Sequence, residues 1–119
     1  MTSTSDVMQP PTLFTHNCQI KHIIATLILD NNIQNNLVSQ TLVKTLHLPT
    51  TSHPTPYQIG WVQQDRPCII VSQQCKVTFV IGVFRGTVLC DVSPLDCADL
   101  ILGMPYQQLR HAIYHAKTQ

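Results

Sequence analysis

The chain contains no glutamate. Its six acids are all aspartates: Asp6, Asp30, Asp65, Asp91, Asp96 and Asp99. Glutamate is a strong helix former, so its absence leans toward β structure. Charge of either sign is scarce, at 11% of residues with a net charge of +1. That argues against a nucleic-acid partner, which would require a basic face for the phosphates. It also leaves a surface of amides and hydroxyls, or one partly covered by a partner. Aromatic residues make up only 6%, so aliphatic side chains must fill the core. No apolar run approaches the roughly 18 residues that a membrane helix needs, and no membrane partner is expected. The N-terminus lacks the basic-then-apolar order of a signal peptide. The five cysteines, Cys18, Cys68, Cys75, Cys90 and Cys97, are an odd number. Reduced thiols in an intracellular, cytoplasmic protein fit this better than a disulfide framework. There is no Gly-rich phosphate loop and no G-x-S-x-G elbow.

What is present organises around one stretch. Ala25-Thr26-Leu27-Ile28-Leu29 climbs as an apolar strand to Asp30 and breaks at once into Asn31-Asn32-Ile33-Gln34-Asn35-Asn36. Leu27 and Leu29 share one face and Ile28 takes the other, so burial of both faces is expected. An acid closing such a strand is costly unless it is solvated, hydrogen-bonded or used. The asparagines favour a tight turn. Leu37, Val38, Leu42 and Leu46 then recur near helical spacing, which predicts a short helix capped by Asn35 or Asn36.

The 119 residues fit one domain. Residues 1–12, rich in Ser, Thr and Pro, read as a flexible N-terminal segment, and residues 13–119 as the folded domain. Residues 17–24 suit a half-buried strand, and a turn near Lys21-His22 would make it a hairpin with the Asp30 strand. Residues 48–56, with three prolines, read as an extended connector. Tyr57, Ile59 and Trp61 alternate with polar residues or glycine as in a strand. Residues 68–71, 75–81 and 87–92 predict further strands, with a turn over Gly82 to Gly86. Residues 98–102 form another apolar run, and a short helix is expected over 104–114, entered through Pro105. Six or seven strands with two short helices and no β-α alternation predict an all-β fold, a small β-barrel or sandwich.

Several candidate sites fail on spacing. Asp30-Asn31-Asn32 is not a calcium loop, since Asn35 and Thr41 stand where glycine and glutamate are required. Cys90, Cys97, His111 and His115 superficially follow a zinc-finger order, but the first gap is too long for a knuckle. No cysteine carries a local activating group, so burial in strands is the better reading. Neither metal nor cofactor is expected. Asp30 keeps two readings: a residue that closes its strand by bonding the next turn, or a catalytic acid at the tip of a strand-loop-helix unit.

Taken in order, the segments resemble the retropepsin-like aspartic protease domain of gypsy-type LTR retrotransposon polyproteins, especially those of plants. In that family an apolar strand ends in Asp-Ser/Thr-Gly or Asp-Gly-Gly. Leu27-Ile28-Leu29-Asp30 is similar to the strand and its acid, and Asn36 to Leu48 to the loop and helix that follow. His53 to Trp61 resembles the proline-rich lead into the flap strand. Cys75 to Gly82 and Val88 to Val92 resemble the next strands. Asp99-Leu100-Ile101-Leu102-Gly103-Met104-Pro105-Tyr106 resembles the closing strand and its turn into the last helix.

The resemblance implies a small closed barrel of the retropepsin type. It implies a homodimer with one Asp30 from each copy, cleaving extended peptide segments of a polyprotein. Asn31 and Asn32 would frame the active-site loop. Ile59, Trp61 and Val62 would lie on the flap and substrate side, and Ile101, Leu102 and Gly103 beneath the site. Asn31 stands where the family has Ser or Thr and Asn32 where it has Gly, and the expected flap turn at residues 63–67 lacks glycine. An alternative therefore stays open: an inactive relic of the same fold, serving as a dimerisation or peptide-binding module.

Overall fold

A computed structural model describes residues 13–59 and 69–118. The described residues are mostly β, with two short helices. The strands are β1 (Leu13–Ile20), β2 (Ile23–Asp30), β3 (Leu37–Ser39), β4 (Thr51–Ile59), β5 (Ile69–Ile81), β6 (Phe84–Ser93) and β7 (Leu100–Leu102). The helices are α1 (Gln40–Thr45) and α2 (Tyr106–Thr118). The segment 1–12 read as flexible and the predicted turn at 63–67 lie outside the described residues.

β1 and β2 form an antiparallel hairpin that runs from Ile20↔Ile23 to Leu13↔Asp30, with Lys21-His22 as its turn. One sheet carries all seven strands in the order β1-β2-β7-β3-β6-β5-β4, and one further pair, Gln19↔Val80, joins β1 to β5. β7 lies parallel to β2 through Leu27↔Leu100, Ile28↔Ile101 and Leu29↔Leu102. β3 wedges between β7 and β6.

The strand alternation seen in the sequence sets the core. Ala25, Leu27 and Leu29 of β2 are buried, while Ile24 on the opposite face is 70% exposed. Ile28 is half-buried, so the second face of β2 is only partly covered. Leu27, Leu29, Val38, Leu100 and Leu102 pack with Val77, Phe79, Cys90 and Leu109 in one apolar cluster. Each fully buried side chain of this kind contributes roughly 1.5–3 kcal/mol through removal from water.

Four local expectations change. Leu37 and Val38 belong to a strand rather than a helix, because ladder pairing with Asp91, Val92, Ile101 and Leu100 outweighs local helical spacing. The helix starts later and its cap is Ser39, whose Oγ accepts the Leu42 N–H at 3.3 Å. Residues 51–56 of the proline-rich stretch are not a free connector but part of β4, and only residues 48–50 remain outside it. Its pairing with β5 is interrupted between Ser52 and Tyr57, which spans Pro54 and Pro56; an edge strand tolerates such missing donors. Residues 69–81 form one strand instead of two.

Candidate active site

Asp30 ends β2 as a half-buried residue. Its Oδ1 accepts the Asn32 N–H at 2.9 Å, and its carbonyl accepts the Ile33 N–H at 3.4 Å. This is the hydrogen bond of a strand-closing aspartate. It engages one carboxylate oxygen, and Oδ2 has no hydrogen-bond partner among the described residues. Asn31 and Asn32 occupy the turn and are both exposed.

The loop after Asp30 is fastened from two sides. The Asn36 side-chain oxygen accepts the Gly103 N–H at 3.0 Å, and its amide donates to the Leu89 carbonyl at 3.4 Å. The Asn36 carbonyl accepts the Asp91 N–H at 2.8 Å. Gly103 lies so close to the loop that a Cβ there would meet the Ile33 carbonyl oxygen at 2.6 Å. Backbone approach, not a left-handed angle, is what requires glycine at this position. Ile101, Leu102 and Gly103 are thus brought alongside β2 and its terminal acid through β7.

Ile59 lies at the end of β4, paired with Ile69. In sheet order β4 is separated from β2 by β7, β3, β6 and β5. Trp61 and Val62 lie outside the described residues.

A second polar cluster escapes sequence reading. Asp91 on β6 is only 3% exposed. The Tyr57 hydroxyl donates to its Oδ2, Gln74 Nε2 donates to its Oδ1 at 3.0 Å, and His53 Nε2 lies 3.2 Å from Oδ1. His53 Nδ1 accepts the Thr55 N–H at 2.9 Å, which leaves Nε2 as the donor toward Asp91. Burial and then the bond to Asp91 raise the pKa of Tyr57, while a hydrogen bond from Asn35 lowers it. The cluster therefore anchors β4 across its interrupted ladder, and through Asn35 and Asn36 it touches the loop behind Asp30. A signal existed: Asp91 interrupts the apolar run Val88 to Val92 just as Asp30 ends its own.

Asp99 performs a similar task at the other strand. Its Oδ2 accepts the Thr26 N–H at 2.8 Å, and its own N–H donates to the Thr26 carbonyl at 3.0 Å. Cys18, Cys75 and Cys90 are buried free thiols, and Cys97 is exposed. Among the described residues no three His, Cys or Asp side chains gather as metal ligands, and no helix is long and apolar enough to cross a membrane. His111 and His115 stack edge to face on α2 at 4.1 Å. No protein-family model matches the chain, and no curated protein matches it at a significant level.

Proposed function

We propose that the chain is a retropepsin-type aspartic endopeptidase domain that acts as a homodimer on extended polyprotein segments. The observation that carries this reading is the union of Asp30 with β7. An apolar strand ends in a carboxylate, a parallel Leu-Ile-Leu strand runs beside it, and Gly103 packs under the following loop. The pairing of β1 with both β2 and β5 is compatible with the closed β fold expected of such a domain.

One Asp30 is insufficient for the chemistry. Two carboxylates about 3 Å apart cannot both ionise, so a dyad shares one proton. The ionised member takes a proton from a bound water, and the protonated member polarises the scissile carbonyl. In each copy, the Asn32 N–H on Oδ1 would orient the carboxylate and leave Oδ2 for the partner acid and the water. Asn31 and Asn32 would face their symmetry mates.

A second reading draws on the exposure of those two asparagines. Their side chains stand where two loops would meet, and a separation error of about 1 Å can cost roughly a hundredfold in rate. The same fold would then serve as a dimerisation or peptide-binding module without turnover. Cleavage of an unfolded protein, with Asp30→Asn as the paired control, separates the two readings.

A further inference from the structure

At the end of the β1–β2 hairpin opposite Asp30 lies a cleft of about 470 Å³. Lys21, from the hairpin turn, meets Lys76 of β5 and Arg85 of β6 around it. Leu48, Pro49 and Val80 contribute its apolar surface. Among the described residues no carboxylate lines the cleft. None of the three cations has an ion-pair partner among the described residues. In a chain with only seven lysines and arginines, three of them converge on one concavity.

The turn maintains this arrangement at a conformational cost. Lys21 has φ +53°, in the left-handed region where a side chain other than Gly, Asn or Asp is disfavoured. The Gln19 side chain donates to the Lys21 carbonyl at 3.0 Å and stabilises that geometry. On the floor, Lys76, Thr78 and Val80 project from one face of β5, and Arg85 stands across from Val80 in the β5–β6 ladder. Mutual repulsion among like charges is relieved by a multiply charged anion. Arginine offers that anion a fork of donors, and lysine offers a point charge. An apolar wall with a few convergent charged groups is the usual form of a small-ligand site.

We propose that this cleft binds a small phosphate monoester, with its oxyanion among Lys21, Lys76 and Arg85 and its organic stem against Leu48, Pro49 and Val80. The proposal is independent of any chemistry at Asp30. All three cations are exposed, so binding is expected in the millimolar range and sensitive to salt.

The test is an NMR titration of the full chain with phenyl phosphate, with inorganic phosphate, and with sodium chloride at matched ionic strength. Saturable amide shifts at Lys21, Lys76, Val80 and Arg85 are expected with both phosphates and not with chloride. Phenyl phosphate should bind more tightly. The double variant Lys76→Gln/Arg85→Gln should weaken binding about tenfold or more. Lys44→Gln/Lys117→Gln removes the same charge elsewhere on the exposed surface and should bind like the parent chain. Shifts that follow ionic strength alone, or equal weakening by both double variants, would overturn the site. Equal affinity for the two phosphates would overturn the assignment of the stem to the apolar wall.

Discussion

The Asn36 side chain accepts the Gly103 N–H at 3.0 Å, and this bond joins the loop after Asp30 to the end of β7. Sixty-seven residues separate the two partners in sequence, so the contact exists only once β2, β3 and β7 are assembled. Asn36→Ala leaves the Gly103 donor unpaired in a partly buried position. A loss of about 1–2 kcal/mol is expected in a denaturant midpoint. Gly103→Ala should cost about 1–3 kcal/mol, because the new methyl meets backbone rather than a movable side chain. If Gly103→Ala were neutral, the close packing of the loop on β7 would be wrong.

Asp91 is expected to be the most sensitive polar residue of the described core. Asp91→Ala strips the acceptor from Tyr57, Gln74 and His53 together, and a loss of about 3 kcal/mol or more should follow. Tyr57→Phe removes one of these bonds and should cost less. A double-mutant cycle between positions 57 and 91 should give a coupling of roughly 1 kcal/mol or more. Additive effects would contradict the cluster.

Stability should fall on the alkaline side. Burial, followed by Asp99, pushes the Cys18 thiol up to about 11. Burial, followed by Cys75 and Asp91, pushes Cys90 up to about 12. Tyr57 is raised for the reasons given above. In each case the folded state holds the proton more tightly than the unfolded state. The resulting stability is fully present below the ordinary values of 9.0 for the thiols and 10.0 for the phenol. It is lost as pH rises through the folded-state values. Denaturant midpoints should therefore decline above pH 9, and Cys90→Ala should flatten that decline even though it lowers stability at neutral pH.

The thiols should also separate by reactivity. Cys97 is exposed, whereas Cys18 and Cys90 are buried and held as neutral thiols. Alkylation at pH 8, followed by peptide mass spectrometry, should modify Cys97 well before either of them. In denaturant the difference should vanish. Early labelling of Cys90 in the folded chain would contradict its place in the core.

The parts of the fold that were legible in the sequence rest on local patterns. The Lys21-His22 hairpin, the climb to Asp30 and the helix after Pro105 all follow from residues close in the chain. Leu37 and Val38 misled, because their spacing to Leu42 and Leu46 imitates a helix while their partners lie on β6 and β7. The prolines at 54 and 56 suggested a connector, because sequence does not reveal that β4 would be an edge strand. The role of Asp91 is hidden because its partners are remote in the chain. Its acceptor oxygens serve Gln74 and Tyr57, 17 and 34 residues away. At the candidate site, the acid and the β7 residues could be read as motifs, whereas the Asn36–Gly103 bond that unites them could not.

The most direct test of the central claim is proteolysis of an unfolded protein between about pH 4 and 7, with a preparation shown to be dimeric and Asp30→Asn as control. The account predicts cleavage that disappears in the Asp30→Asn dimer. A dimer that cleaves nothing, or cleavage that survives the substitution, would contradict it.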